Sequence, residues 1–251
     1  MGAVRGGRGW PHERRPVRWI GPSTSAPTGR SSWPASVPAV GQLLEDGLEL
    51  PAGVTFLVGE NGSGKSTLVE GVAGAFGLDV EGGTPNSRHV TRPSESELAS
   101  WLQLTRGPGA SRWGFFLRAE SMHGYYTYLE GVANPRGTPR YHEMSHGESF
   151  LAVIERNVGS PGLYCLDEPE AALSFTSTLA LIGLLAELAR GDAQVLCATH
   201  SPVLCSLPGA RILEVGEWGL RETGWDDLLL VEHWRSFLHA PQRYLRHVVD
   251  D

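Results

Sequence analysis

The sequence predicts an α/β fold with a mostly parallel sheet and helices on both faces. Three observations predict it. Short apolar, β-branched runs recur at 54–58, 113–117, 163–166 and 194–198. Helical stretches at 66–76, 147–158 and 174–190 lie between them, and strands alternating with helices build parallel sheets. The turn joining the first run to the first helix, Gly59-Glu60-Asn61-Gly62-Ser63-Gly64-Lys65-Ser66-Thr67, fits the phosphate-binding pattern G-x-x-x-x-G-K-[ST].

In chain order, residues 1–32 are rich in Gly, Pro, Ser and Arg without a period, so little order is expected. A single domain is expected over 33–251. Residues 43–50 read as a strand, 51–53 as a turn and 54–58 as a buried strand. Residues 78–94 read as a long loop and 95–104 as a short helix capped by Ser94. The chain breaks at 107–109, and 121–143 reads as a second loop, with five Gly or Pro residues. Residues 210–215 and 219–222 form a closing hairpin, followed by helices near 226–238 and 241–248. Trp101 and Leu102 are expected in the core, and Tyr125 and Tyr126 in loop packing rather than stacking on a base.

Composition narrows the class. No apolar run approaches the ~18–20 residues that cross a bilayer. Three scattered cysteines make no disulfide framework, and Cys165 and Cys197 sit in apolar runs as small hydrophobes. A cytoplasmic protein is expected. The net charge is −7, but residues 1–30 carry six Arg and one Glu, which leaves the rest at −12. A basic arm permits nucleic-acid contact, whereas the acidic body without a basic stripe argues against it.

Of 21 basic residues, only Lys65 is a lysine. A compact ammonium fits inside a phosphate loop where an Arg fork would not. Gly59, Gly62 and Gly64 let backbone N–H groups turn toward a phosphate at a helix N-terminus. Lys65 would reach the β- and γ-phosphates, and Ser66 would ligate Mg²⁺.

Four later stretches extend this chemistry. The run 162–166 ends in Asp167 and Glu168. Asp167 would hold Mg²⁺, and Glu168 would polarise the attacking water. His200, in Thr199-His200-Ser201-Pro202, ends the next strand, where open α/β sheets place ligands. Pro169 to Ser174 follow the acids directly. Ser145 and Gly147, in Met144-Ser145-His146-Gly147-Glu148, open a helix and form a second anion site.

The order of these motifs resembles the ABC-type ATPases. Within them it is similar to the stand-alone soluble ATPases of bacteria, which are related to the heads of SMC and recombination-repair proteins. The resemblance spans residues 33 to about 248 and implies ATP with Mg²⁺. It also implies an ATP-dependent homodimer with each ATP between two subunits. On that reading Ser145 and Gly147 contact the γ-phosphate held by the partner. Glu168 is the catalytic base, His200 the switch histidine, and residues 170–174 cross the interface.

Two departures stand out. The usual signature, Leu-Ser-Gly-Gly-Gln, here has His146 and Glu148, and an acid near a triphosphate is unfavourable unless it faces away or is paired. The family's metal-sensing Gln has no match; Glu120 either substitutes for it or is an ordinary surface residue. The leading expectation is an ATP-hydrolysing conformational switch. The alternatives are a transporter's ATP-binding subunit and an ATP-gated nucleic-acid module.

Overall fold

The computed structural model describes residues 15–79, 97–119, 122–131, 140–157, 159–191, 193–246 and 248–249. Its main sheet has six strands: β3 (Gly53–Val58), β5 (Gly114–Arg118), β6 (Leu163–Asp167), β7 (Gln194–Thr199), β8 (Arg211–Gly216) and β9 (Gly219–Glu222). Their order is β5-β6-β7-β3-β8-β9, parallel throughout except for the antiparallel β8–β9 hairpin. Every residue of β6 and β7 is buried, the continuous apolar reading that central parallel strands require.

Side-chain alternation sends each strand to two cores. Phe56 and Val58 of β3 and Tyr164 and Leu166 of β6 join α5 (His146–Asn157) and α6 (Phe175–Arg190) in one apolar layer. Leu57, Leu163 and Cys165 face the other layer, with α1 (Pro38–Asp46) and α2 (Lys65–Phe76). The helix α7 (Leu229–His239) adds Val231 to the first layer, and α8 (Gln242–Leu245) follows it. Trp101 and Leu102 are buried, as are Cys165, Cys197 and Cys205.

Four expectations are corrected. Within 1–32, β1 (Trp19–Pro22) is ordered as the central strand of a small antiparallel sheet, β2-β1-β4, where β2 is Leu48–Glu49 and β4 is Leu102–Thr105. Only Ile20 and Gly21 of β1 are buried, too short a stretch to show a period. Gln194 ties this segment down: its side chain accepts from Val17 N at 2.9 Å and donates to the carbonyls of Val17, Leu50 and Pro51 at 2.8 Å each.

Of the strand expected over 43–50, residues 43–46 belong instead to the helix α1, and only Leu48–Glu49 is a strand. Pro38 opens α1, Ala39, Val40 and Leu43 share its buried face, and Gly47 (φ 67°) ends it. Of the helix expected over 95–104, the described residues from 97 on are helical only in α3 (Leu98–Trp101); residues 94–96 lie outside the described residues. The run from Leu102 to Thr105 pairs with β1 instead.

In the expected loop 121–143, α4 spans Met122–Gly131 and a 3₁₀ turn spans Tyr141–Glu143. Met122, Tyr125 and Tyr126 fall at helical spacing and are buried, which outweighs Gly124. Tyr126 stacks on Tyr141 with centroids 5.5 Å apart, so these tyrosines are core. Most of 78–94 lies outside the described residues.

Candidate active site

The site forms at the C-terminal ends of β3, β6 and β7, where an open α/β sheet leaves a crevice. The loop after Val58 leads directly into α2 at Lys65. Two of its glycines are obligatory. Gly64 is left-handed at φ 98°, and a Cβ there would lie 2.5 Å from Val37 Cγ1. A Cβ at Gly59 would lie 2.3 Å from the Val215 carbonyl oxygen. Glu60, Asn61 and Gly62 are exposed at the tip, and Ser66 and Thr67 are half-buried in the first turn of α2. The Ser63 hydroxyl is buried without a hydrogen-bond partner among the described residues. A polar group left so is costly unless a ligand such as a phosphate oxygen completes it.

Lys65 is 3% exposed. Its ammonium donates to the Glu60 carbonyl at 2.9 Å and lies 3.8 Å from Glu168 Oε1. Burial pushes its pKa below the ordinary lysine range, against the opposing pull of Glu168, Asp167, Glu170 and Glu60. An ammonium held by one carbonyl and a distant carboxylate is poised to take phosphate oxygens instead.

Asp167 ends β6 and is buried. Burial raises its pKa above the ordinary carboxylate value, against the lowering effects of a hydrogen bond from Ser66 and the nearby Arg118. Its Oδ2 lies 3.3 Å from Arg118 Nε, while Oδ1 is buried without a hydrogen-bond partner among the described residues. Ser66 and Asp167, expected to share Mg²⁺, are thus in contact. A hard oxygen pair with one orphaned carboxylate oxygen fits that ion.

Glu168 is the only non-glycine residue at positive φ among the described residues, at φ 47°. That conformation costs roughly 1–3 kcal/mol and persists only where its surroundings impose it. Here the Glu168 N–H donates to the Ala198 carbonyl at 3.0 Å, which locks the end of β6 to β7. The carboxylate then points between Lys65 and His200, with His200 Nδ1 3.6 Å from Oε1.

Ser145 immediately precedes α5, and Gly147 lies in its first turn. Glu148 answers the question of the atypical signature, because it caps its own helix. Ser145 Oγ donates to Glu148 Oε2 at 2.7 Å, Ser145 N at 3.0 Å, and Glu148 N returns to Ser145 Oγ at 3.3 Å. A Cβ on Gly147 would lie 3.3 Å from Ser177 Oγ and 3.7 Å from the Ala172 carbonyl oxygen. The signature therefore packs against the segment that follows Glu168. Glu120 lies outside the described residues.

Sequence reasoning placed Glu170 only in the interface-crossing segment and gave Arg118 and Glu70 no role in the site. Glu170 accepts from Thr199 Oγ1 and His200 N. Arg118 bridges Asp167 and Glu70, with Nη1 2.8 Å from Glu70 Oε1. Each link joins elements distant in sequence: the register Arg118↔Asp167 brings β5 to β6, and Asp167↔Ala198 brings β6 to β7.

Comparison with known proteins fits this geometry. A family described as "AAA domain, putative AbiEii toxin, Type IV TA system" matches residues 141–206, and a second "AAA domain" family matches residues 42–110. The aliphatic sulfonates import ATP-binding protein SsuB 2 of Streptomyces avermitilis is 34% identical over 77% of this chain and 82% of its own length. The chain belongs to the ABC-type ATPases. Another relative of this ABC-type ATPase is the cytochrome c biogenesis ATP-binding export protein CcmA of Rhizobium etli, 31% identical over 65% of this chain and 85% of its own. Among solved structures, cbiO1 from Clostridium perfringens, part of the ABC transporter complex cbiONQ, is 16% identical with a TM-score of 0.45, covering 82% of this chain and 90% of that one. As in its family, the reaction of this ABC-type ATPase is the hydrolysis of ATP.

Proposed function

We propose that the chain is a conformational switch that closes as a head-to-tail homodimer on ATP and reopens after hydrolysis. The observation that supports this best is the packing of Gly147 against the Ala172–Ser177 segment. It puts the second anion site and the start of α6 on one surface. Phe175 and Leu179 are 66% and 47% exposed beside it, apolar area that a second copy would cover.

In this reading the loop N–H groups and Lys65 hold the phosphates, and Ser66 with Asp167 holds Mg²⁺. When bound, that ion would neutralise charge on the phosphates. Glu168 takes the water proton, His200 hydrogen-bonds the γ-phosphate, and Ser145 with Gly147 of the partner closes the site. Trp33 stacks on adenine: it is 61% exposed, and it precedes Val37, the residue that abuts Gly64.

The test is the mass in solution with and without Mg-ATP, for wild type and Glu168→Gln. Removing the base should slow hydrolysis by about 10²–10⁴-fold and trap the closed state. An ATP-dependent dimer of the variant supports the switch. A variant that stays monomeric at saturating ATP refutes homodimer closure.

The relatives named as importer subunits favour a second reading, an ATP-binding subunit docked on a membrane partner. Among the described residues no helix is long and apolar enough to cross a membrane. Copurification with a multi-span membrane protein would favour this second reading.

A further inference from the structure

We infer that Glu170 is the positioning residue that holds His200 and links the interface-crossing segment to hydrolysis. The inference rests on the proposed role of His200. Glu170 opens the segment after Glu168, yet its side chain turns inward and is 8% exposed. Its Oε1 accepts from Thr199 Oγ1 at 2.5 Å and from His200 N at 2.7 Å. His200 Nδ1 lies 3.6 Å from the same oxygen and 3.6 Å from Glu168 Oε1.

Three consequences follow from this geometry. First, the turn carrying His200 is pinned from the β6 side rather than from its own strand. Thr199 Oγ1 also accepts from Ser201 N at 3.0 Å, so the whole turn is drawn onto one carboxylate. Second, two carboxylates lie on the Nδ1 side of the ring, which leaves Nε2 as the nitrogen that donates to a phosphate oxygen. Third, Oε2 of Glu170 is buried without a hydrogen-bond partner among the described residues. A carboxylate kept half-satisfied in a buried place is held there for the contacts its other oxygen makes. Any shift of residues 170–174 on dimer closure moves this carboxylate, and His200 moves with it.

The test is a double-mutant cycle on the full-length protein, with steady-state kinetics and calorimetric ATP binding. Glu170→Ala should lower kcat about 10–100-fold while leaving ATP affinity and KM within about twofold, because the contact matters in the reacting state. Glu170→Gln keeps an acceptor at Oε1 and should restore most of the rate. In a His200→Ala background, Glu170→Ala should add little further loss, since one residue acts through the other. Equal losses in both backgrounds would overturn the inference, and so would an unchanged kcat in Glu170→Ala. If His200→Ala itself leaves kcat unchanged, the inference falls together with the role of His200. The mass of Glu168→Gln with ATP then reports separately on the dimer. Melting temperatures separate misfolding from mispositioning; if Glu170→Ala fails to fold, the kcat of Glu170→Gln alone decides against His200→Ala.

Discussion

Ser145 and Glu148 satisfy each other across one helical turn, the hydroxyl donating at 2.7 Å and the backbone N–H returning at 3.3 Å. The signature thus carries its own anion where a partner's phosphate would bind. Glu148→Gln keeps an acceptor and removes the charge. ATP-driven dimerisation should tighten about two- to fivefold, the scale of an exposed charge interaction, as read by sedimentation against ATP concentration. Unchanged dimerisation would mean that the charge at Glu148 is irrelevant to closure.

The same cap has an acid limit. The hydrogen bond from Ser145 holds the Glu148 carboxyl below its ordinary value. A lowered acid stabilises the fold above the unfolded value and loses that contribution as pH falls through the folded one. Melting curves of wild type and Glu148→Gln should therefore converge as pH is lowered below the ordinary glutamate range, and stay apart above it.

Lys65→Ala should abolish measurable nucleotide binding. Truncating one partner of a buried charged contact typically costs about 2–5 kcal/mol, or roughly 30- to several-thousandfold in affinity. The apo protein should melt no earlier than wild type. Burial already lowers the lysine pKa, so the ammonium is held at an expense to the fold that alanine removes. Calorimetry on both proteins checks each half.

The pKa of Asp167 is shifted in the opposite direction. Burial raises its pKa above 3.8, and the ion needs the ionised form. At limiting Mg²⁺, where protons compete with the ion for the free carboxylate, ATP hydrolysis should fall as pH drops through a range above that of an ordinary aspartate. Asp167→Asn should weaken Mg²⁺ dependence and flatten this acid limb. A limb that persists in Asp167→Asn would assign it to another group.

Trp33→Ala should raise KM for ATP by about 5–100-fold, the stacking energy of a base on an aromatic ring, while Trp33→Phe keeps most of the affinity. Tripolyphosphate, which has no base, should bind Trp33→Ala and wild type equally. Equal loss for both ligands would make Trp33 a prop for the loop rather than a platform for the base.

The candidate site residues were legible because phosphate and metal chemistry demand particular side chains in contiguous runs. Gly64-Lys65-Ser66 and Asp167-Glu168 need no tertiary knowledge to be noticed. What holds them was not legible. Glu170 meets Thr199 across 29 positions, and Arg118 meets Asp167 only through strand register. The fold follows the same rule. Long buried strands declared themselves, whereas α4 was hidden by Gly124 and β1 by its length, and both depend on distant partners for burial.

The grip of Gln194 on Val17 limits how the basic arm can be tested for nucleic-acid binding. Deleting residues 1–30 would remove β1 and take two of the four hydrogen bonds from a side chain in a residue that is 1% exposed. Each buried group left unpaired costs about 1–3 kcal/mol, so lost binding would report damage to the catalytic body. The clean excision ends before Arg15, whose guanidinium already bonds Glu49 and the Leu50 carbonyl. It would take Arg5, Arg8 and Arg14 and keep the contacts that Arg15 and Val17 make.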